Sequence, residues 1–342
     1  MDSAEQILMA HGSGGAMMRD LIAEYFIPAY GASELQSADD SAVLDLPPSV
    51  KNIAFTTDSF VVTPLFFPGG DIGRLAVCGT VNDLATSGAT PLWLSVAFIL
   101  EEGFSLQSLQ TICRSIADAA HEANVRIVTG DTKVVPRGSG DGIFINTTGI
   151  GTFSNQRRLS GRFCRPGDKI LLSGTLGDHG ITIVSARENL DFSTDIKSDV
   201  APLNHLVAKV LQAAPSTRCF RDPTRGGLAS TINELATQSH TSMTIEEASV
   251  PVKTQVRGVS ELLGYDVFQV ANEGKMVAVV PPEEVDAALA AMREDPLGKA
   301  AAIIGEVAPA LEPGLPVAWV RTPFGATRVL DMLVGEQLPR IC

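Results

Sequence analysis

Long hydrophobic runs are missing from this chain of 342 residues. No apolar segment reaches the roughly 18 residues that a membrane-spanning helix needs, and the longest, Leu92 to Leu100, is typical of a buried strand. A secretory signal is also missing, because the first six residues carry two acids and no base and the apolar stretch after them is short. We therefore expect a cytoplasmic protein that has no membrane partner.

Positive charge is scarce as well. The chain has 26 Lys and Arg against 39 Asp and Glu, which gives a net charge of −13, and no stretch concentrates the basic residues. This balance argues against a nucleic-acid partner, because a phosphate backbone requires clustered positive charge. It also means that a cation such as Mg²⁺ would have to offset the charge of a bound nucleotide.

Paired cysteines are absent. The five cysteines are odd in number and none has C-x-x-C spacing, so the sequence predicts neither a disulfide framework nor a structural zinc site. Cys78 and Cys113 fall in apolar helical patterns and are typical of core residues. Cys342 is the last residue, and its position alone is compatible with an incidental thiol at a frayed end.

The pattern of apolar residues predicts an α+β protein built from two α/β halves with mixed sheets. We place an N-terminal domain at residues 1–155, a C-terminal domain at 156–330 and an extended, mobile tail at 331–342. Neither a G-x-G-x-x-G nor a P-loop signature is present. The predicted strands are 42–46, 53–57, 92–100, 125–129, 143–152, 169–173, 276–280 and 301–307, and the predicted helices are 72–87, 203–213, 228–238, 283–292 and one that starts at Ser105.

Aspartates fall at the ends of four separate apolar elements: Asp40, Asp58, Asp83 and Asp131. Hard cations such as Mg²⁺ prefer oxygen ligands and bridge to phosphates, so converging carboxylates would form a site for a metal and a nucleotide. The alternative for each residue is a turn former or a helix cap. Asp83 is the most unusual, because it lies inside a helical pattern, where an unpaired acid is unfavourable.

Two glycine-rich loops precede predicted helices. The first contains Gly12, Ser13, Gly14 and Gly15, and the second, at 222–227, contains Thr224 and Arg225. Backbone N–H groups in such loops and at helix N-termini bind phosphate, and an arginine can bind it with two hydrogen bonds. The alternatives are plain turns, and for Arg225 a surface ion pair.

Three further side chains are candidates for catalysis. Lys133 lies two residues after Asp131, so an extended chain places both on one face. Glu273 and His179 lie in polar or glycine-flanked turns. The alternative for each of these turn residues is an ordinary solvated surface position.

Taken together, these motifs resemble the aminoimidazole ribonucleotide synthetase-like (PurM-like) superfamily over essentially the whole chain. The terminal Pro-Arg-Ile-Cys narrows the resemblance to the hydrogenase maturation proteins that dehydrate a carbamoylated cysteine. The motifs that carry it are HGSGG at 11–15, ADDSAV at 38–43, TDSFVVTPLFFPGGDIG at 57–73, VNDLATSGA at 81–89, GDTKVV at 130–135, GTLGDHG at 174–180, DPTRGG at 222–227 and ANEGK at 271–275.

The resemblance implies that ATP and Mg²⁺ bind in a cleft between the two domains, and that the N-terminal domain forms a homodimer through its sheet. It also implies partners. The carbamoyltransferase HypF would load a carbamoyl group onto the terminal thiol. The enzyme would then convert the S-carboxamide to S-cyanate with ATP, and the cyano group would pass to iron held by the HypC–HypD complex.

With this reaction in view, we assign Cys342 as the covalent carrier of the substrate. Glu273 is the first candidate for the base and His179 the reserve, while Lys133 would polarise the carbonyl oxygen or the transferred phosphate. The four aspartates would hold Mg²⁺. Two alternatives stay open: a synthetase or kinase that acts on a free substrate, and a docking protein without catalysis.

Overall fold

A computed structural model describes residues 6–12, 16–31, 42, 44–48, 50–153, 158–188, 196–310, 317–332, 338 and 340–342. The strands are β1 Ile53–Phe60, β2 Phe66–Phe67, β3 Gly70–Asp71, β4 Thr90–Glu101, β5 Arg126–Val135, β6 Ile143–Thr152, β7 Lys169–Leu172, β8 Cys219–Arg221, β9 Ser242–Glu246, β10 Val277–Val280, β11 Ala302–Ala308, β12 Ala318–Arg321 and β13 Thr327–Val329. The α-helices are α1 Ala16–Leu21, α2 Ile27–Tyr30, α3 Ile72–Thr86, α4 Leu106–Ala123, α5 Asp178–Arg187, α6 Asn204–Ala213, α7 Gly227–Ser239, α8 Thr254–Leu263 and α9 Val285–Glu294.

The first half contains a four-stranded sheet in the order β1-β6-β4-β5. β4 and β5 are parallel, and the other neighbours are antiparallel. Helices α3 and α4 cover one face, because α4 carries an apolar stripe that includes Leu109, Ile112 and Ile116. The opposite face of this sheet, which we call the outer face, lacks such a cover within the described part of the chain.

The second half contains a seven-stranded sheet in the order β13-β12-β9-β11-β7-β10-β8, in which the β12–β9 pair is parallel and the other five neighbouring pairs are antiparallel. Both faces of its central strands are buried. In β10, Val277 and Val279 pack with α7, whereas Ala278 and Val280 pack with α6 and α9. Burial on both sides explains why this strand has an unbroken apolar sequence.

The predicted fold class is confirmed: the chain has two α/β halves with mixed sheets. Most predicted elements are present within one to three residues at each end, and α1 begins at Ala16 as expected. The predicted strand at 42–46 is wrong, because the residues described there, 42 and 44–46, form no strand. The domain boundaries stay predictions.

Two expectations about single residues also have outcomes. All five cysteines are free thiols, and Cys78 and Cys113 are buried in the core as predicted. Within the ranges given above, no helix is both long and apolar enough to cross a membrane.

Candidate active site

A cleft of about 670 Å³ lies between the two halves. The first half contributes β1 and α3, and the second contributes the loop after β8 and the start of α7. Its charged lining residues are Asp58, Asp83, Arg221, Asp222, Arg225, Glu234 and Glu273, and the terminal Cys342 also lines it. The structure therefore brings together six of the predicted site residues: Asp58, Asp83, Thr224, Arg225, Glu273 and Cys342.

Helix α3 carries Asp83 into the cleft. The helix begins after Asp71, whose carboxylate accepts hydrogen bonds from the N–H groups of Gly73 and Arg74, at 2.8 and 2.9 Å. Near its end, Thr56 of β1 donates a hydrogen bond to Asp83 at 3.0 Å. The preceding Asn82 is buried and connects the helix to the second half.

The Asn82 side chain makes hydrogen bonds to three backbone groups of the second half. Its Nδ2 donates to the carbonyls of Ala201 (3.1 Å) and Glu273 (3.4 Å), and its Oδ1 accepts from the N–H of Leu203 (2.7 Å). Asp83 follows Asn82 in sequence, so these bonds fix the position of Asp83 relative to Glu273 in the other half.

The loop at 222–227 opens helix α7 at the edge of the cleft. Gly226 and Gly227 both have positive φ, at 75° and 61°. A Cβ on Gly227 would lie 2.6 Å from the carbonyl oxygen of Phe268, so only glycine fits there. This close approach presents Thr224 and Arg225, with the N-terminal turn of α7, to the cleft, an arrangement that suits a phosphate.

The loop at 271–275 is fixed by two buried polar side chains. Asn272 donates from Nδ2 to the carbonyl of Pro223 at 2.9 Å and accepts from the N–H of Gly177 at 2.8 Å. Asp199 accepts a hydrogen bond from the N–H of Glu273 at 3.1 Å and forms a buried ion pair with Lys275, also at 3.1 Å. These contacts hold the loop that carries Glu273 against the loop at 222–227.

Glu273 itself is almost fully buried, with 3% of its surface exposed. Burial, and then the negative charges of Asp222 and Asp199, raise its pKa well above the usual range. Its Oε1 atom accepts no hydrogen bond from the described residues. A buried carboxyl oxygen without a partner is unfavourable, so this atom suits an N–H or O–H group of a bound substrate.

Burial is the main cause of raised pKa values among the acidic residues of the cleft. Burial, and then the charge of Asp222, raise the pKa of Asp83 to about 6. Burial likewise raises the pKa values of Asp58 and Asp222. A divalent cation beside these oxygens would stabilise their ionised forms, so the cleft fits Mg²⁺, although no cluster of three metal-binding side chains is already formed by the described residues.

Cys342 lines this cleft, and the C-terminal residues pair with the segment after β1. The N–H of Val61 donates to the main-chain oxygen of Cys342 at 3.1 Å, and the N–H of Thr63 donates to the Arg340 carbonyl at 3.2 Å. Arg340 returns a hydrogen bond from Nε to the Val61 carbonyl at 3.0 Å, and Ile341 is buried in the core. Residues 340–342, the described end of the predicted tail, are therefore docked on their own chain in this structure, and the mobility of the tail stays a prediction.

Docking changes the terminal thiol. Cys342 packs against the core of the first half, and burial, followed by the charge of Glu273, raises its pKa above the usual range for a thiol. The docked thiol is therefore protonated and a poor nucleophile.

His179 does not line the cleft. Its Nε2 lies 2.8 Å from the carbonyl oxygen of Ile341, and its Nδ1 lies 2.8 Å from the hydroxyl of Ser198. Both ring nitrogens are thus engaged, and burial lowers the pKa of the ring. The predicted role of His179 as a reserve base is not favoured by this placement, because neither nitrogen is free to take a proton from a group in the cleft.

Asp131 and Lys133 lie outside the cleft of their own chain, contrary to the predicted cluster. Across the sheet, Asp58 is in register with Thr147, whereas Asp131 is in register with Ala97 and through it with Asn146, one residue away from Thr147. Successive residues of a strand point to opposite faces, so Asp58 faces the helices and Asp131 faces the outer side. Lys133 shares the outer face and donates to Asp131 at 2.5 and 2.7 Å, as their spacing predicted.

The remaining predicted residues belong to the N-terminal region. Gly12 packs against Val134 of β5 and does not line the cleft. Ser13, Gly14, Gly15 and Asp40 lie outside the described residues.

Family models, related sequences and solved structures that are similar to this chain all point to one protein family. Family models of AIR synthase related proteins match the chain at residues 38–153, for the N-terminal domain, and 165–316, for the C-terminal domain. A protein of Cupriavidus necator named carbamoyl dehydratase HypE is 52% identical over 337 residues, which cover 98% of this chain and 95% of that protein. A crystal structure of the hydrogenase maturation protein HypE in complex with ATP has a TM-score of 0.94 and 47% identity, and covers 98% of this chain and 99% of its own. The chain belongs to the HypE family.

A second structure of the HypE family was solved as a HypE–HypF complex. Its matched chain has a TM-score of 0.80 and 45% identity, and the match covers 93% of this chain and all of that one. The predicted resemblance to hydrogenase maturation proteins of the AIR synthase superfamily is therefore confirmed.

Sequence reasoning missed several residues that build this HypE-family site. Asp222 and Arg221 precede the loop residues that were identified, and both line the cleft. Asn82 and Asn272 position the two halves of the site through backbone groups. Their position beside Asp83 and Glu273 was visible in the sequence, but their role was not, because it depends on contacts between distant loops.

Proposed function

We propose that this chain uses ATP and Mg²⁺ to dehydrate an S-carbamoyl group on its own Cys342 to S-cyanate, for the cyanide ligand of the iron in a [NiFe]-hydrogenase. The observation that carries the proposal is the location of the thiol: Cys342 lies in the same cleft as Asp83, Arg225 and Glu273. The names carbamoyl dehydratase and HypE in close relatives support it.

The chemistry requires the amide oxygen to become a leaving group. The carbonyl oxygen of Cys342–S–CO–NH₂ attacks the γ-phosphorus of ATP, and ADP departs. One nitrogen proton is lost as the C=N bond forms. The second proton and the phosphate then leave, and S–C≡N remains on the cysteine. The whole reaction consumes one ATP and yields ADP and phosphate.

Residues of the cleft suit the phosphoryl transfer step. Arg225 and the first turn of α7 would bind phosphate oxygens, with Thr224 beside them. Asp58 and Asp83, with Asp222, would hold Mg²⁺, which when bound neutralises charge on the phosphates. The assignment is supported by the raised pKa values of Asp58 and Asp83, because burial, and for Asp83 also the charge of Asp222, makes their ionised forms unfavourable until a cation binds.

Glu273 is the group best placed for the nitrogen protons. Its Oε1, to which no described residue donates a hydrogen bond, would accept one from the carboxamide –NH₂ when the carbamoylated tail docks. The raised pKa makes the ionised form a stronger base than an exposed glutamate, which favours removal of a weakly acidic proton.

A homodimer would give Asp131 and Lys133 a role. Both point away from their own cleft, on an outer face that also exposes Ile53, Phe55 and Ile99. Apolar residues grouped on one exposed sheet face are typical of a protein interface. We propose that two chains pack through this face, and that each supplies Lys133 and Asp131 to the cleft of the other.

Other partners follow from the reaction. A carbamoyltransferase such as HypF would load Cys342, and the structure of a related HypE–HypF complex supports this pairing. A HypC–HypD iron complex would receive the cyano group. The cytoplasmic location inferred from the sequence stays a prediction.

Replacing the terminal cysteine separates this function from the alternatives. The Cys342→Ala protein should bind Mg-ATP with unchanged affinity in calorimetry but form no cyanate after incubation with HypF, carbamoyl phosphate and ATP. A synthetase or kinase that acts on a free substrate would keep its ATP turnover in this variant. A docking protein would bind no ATP in either form.

A further inference from the structure

Helix α5 contacts the C-terminal tail at two points. His179, in its first turn, reaches the carbonyl of Ile341 at 2.8 Å. Arg187, its last residue, donates from Nη2 to the carbonyl of Arg340 at 2.9 Å. Neither side chain lines the cleft, so their contacts serve the position of the tail and not the nucleotide site.

The hydrogen bonds around His179 define its tautomer. The hydroxyl of Ser198 accepts from the N–H of Val200 at 3.2 Å and is therefore free to donate to Nδ1 of His179. The Nε2 nitrogen then carries the proton and donates it to the Ile341 carbonyl, which can only accept. Edge-on contact with Phe67 fixes the plane of the ring.

Arg187 joins the tail to the segment after β1 on which the tail docks. Its guanidinium donates from Nε and Nη2 to the carbonyl of Thr63, at 3.1 and 2.9 Å, and from Nη2 to that of Arg340. The N–H of Thr63 meanwhile donates to the same Arg340 carbonyl. One planar guanidinium group therefore binds both chain segments. A lysine in its place would lack this fixed arrangement of several donors.

We infer that His179 and Arg187 are positioning residues that form a latch, holding Cys342 in the cleft for dehydration and releasing it for loading. The inference rests on the proposed function in one respect, namely that a partner must reach the thiol. The latch binds the tail through main-chain carbonyls, so the chemical state of the sulfur does not enter these contacts, and both free and modified cysteine can dock.

The alkylation rate of Cys342 reports how firmly the tail is held in the cleft, and its measurement requires neither ATP nor a carbamoyl group. The full-length protein is treated with iodoacetamide under native conditions, and the modified peptides are quantified by mass spectrometry over time. The other four cysteines are buried and serve as internal references for general loosening of the fold. Two variants are compared with the natural protein: Arg187→Ala, at a half-buried site, and His179→Phe, which keeps a ring against Phe67 but cannot donate.

Each variant should alkylate Cys342 about three- to tenfold faster, since each removes hydrogen bonds that hold the docked state, while the four buried cysteines stay unmodified. The alkylation rate of Cys342 in Arg187→Lys should lie between those of the natural protein and Arg187→Ala. The matched control is Arg293→Ala, which removes a similar bond from helix α9 to the Ala301 carbonyl, 3.0 Å long and remote from the tail. It should leave the alkylation rate unchanged.

The same variants have a second readout. Single-turnover conversion of carbamoylated protein should be slower in proportion to the loss of docking, with unchanged Mg-ATP affinity. Unchanged alkylation of Cys342 in both variants, or equal acceleration at all five cysteines, would overturn the latch. If cyanate never forms in the natural protein, the proposed function fails, but the alkylation result still decides the latch.

Discussion

Asp83 shows how one residue couples the electrostatics of the site to the stability of the fold. It is largely buried and lies near Asp222 and Asp58, and burial, followed by the charge of Asp222, raises its pKa from 3.8 to about 6. The folded protein therefore holds this proton more tightly than the unfolded chain does. Without a cation, ionisation of Asp83 opposes folding, and the penalty is absent below pH 4 and fully present above pH 6.

We predict that Asp83→Asn removes this penalty, because asparagine has no proton to lose and keeps the oxygen that accepts from Thr56. The free energy of unfolding of the natural protein, relative to the variant, should fall by about 2 kcal/mol between pH 4 and pH 7. Urea denaturation without nucleotide or Mg²⁺ measures it. Asp118→Asn, on the exposed side of α4, is the matched control. A difference that does not change with pH would contradict the account.

Single residues were predictable where a local pattern marked them. Asp83 was identified because an acid inside an apolar helix needs a reason, and Glu273 because its turn precedes a buried strand. Asp131 was predicted to join Asp58 and Asp83 in one site, but within a single chain it lies on the opposite face of the sheet. The sequence alone does not show the register of neighbouring strands. A shift of one residue in that register reverses the face.

At the scale of elements, the loop at 222–227 packs closely against residues 268–270. This contact positions Thr224, Arg225 and the first turn of α7, the groups proposed to bind phosphate. Gly227 makes this possible through its positive φ and the absence of a Cβ, which would otherwise lie 2.6 and 2.7 Å from the carbonyl oxygens of Phe268 and Val270. The start of α7 therefore lies directly against the segment that precedes the loop carrying Glu273.

Gly227→Ala should separate these two loops. We expect a loss of about 1–3 kcal/mol in the free energy of unfolding and weaker Mg-ATP binding, because Arg225 and the first turn of α7 would shift. Urea denaturation and calorimetry measure the two effects. Gly258→Ala, inside α8 with no atom within 4 Å of the new Cβ, should be neutral or slightly stabilising and keep ATP binding. Normal ATP affinity in Gly227→Ala would remove the loop from the site.

Elements with a strong period were predictable and short ones were not. The apolar stripe of α4 and the unbroken run of β10 both report burial directly. The three-residue strands β8 and β13 contain too few residues for a pattern, and they exist because neighbouring strands pair with them. The docking of the tail was invisible for the same reason: its partners, Val61 and Thr63, are more than 270 residues away in sequence.

At the scale of the whole molecule, the outer sheet face separates Lys133 from the cleft it was predicted to serve. A dimer through this face would reunite them across two chains. The arrangement has a consequence that no monomeric enzyme shares, because each active site would then depend on residues of both copies.

Mixing two inactive variants tests this dependence. Lys133→Ala and Glu273→Gln should each lose dehydration, but their heterodimer contains one cleft with an intact Glu273 and an intact Lys133 from the other chain. An equal mixture, unfolded and refolded together, should regain about a quarter of the natural activity, since half of the dimers have one working site of two. No recovery in a mixture shown to contain heterodimers would place Lys133 outside the partner's site.

The mass of the C-terminal peptide tests the central claim most directly. Carbamoylated protein is incubated with Mg-ATP, digested and examined by mass spectrometry, with Glu273→Gln treated in parallel. We predict that the peptide ending in Cys342 loses the mass of one water molecule as ADP appears, and that the Glu273→Gln peptide keeps its carbamoyl group. A carbamoylated Cys342 peptide of unchanged mass, in protein that binds Mg-ATP, would contradict the proposed dehydration.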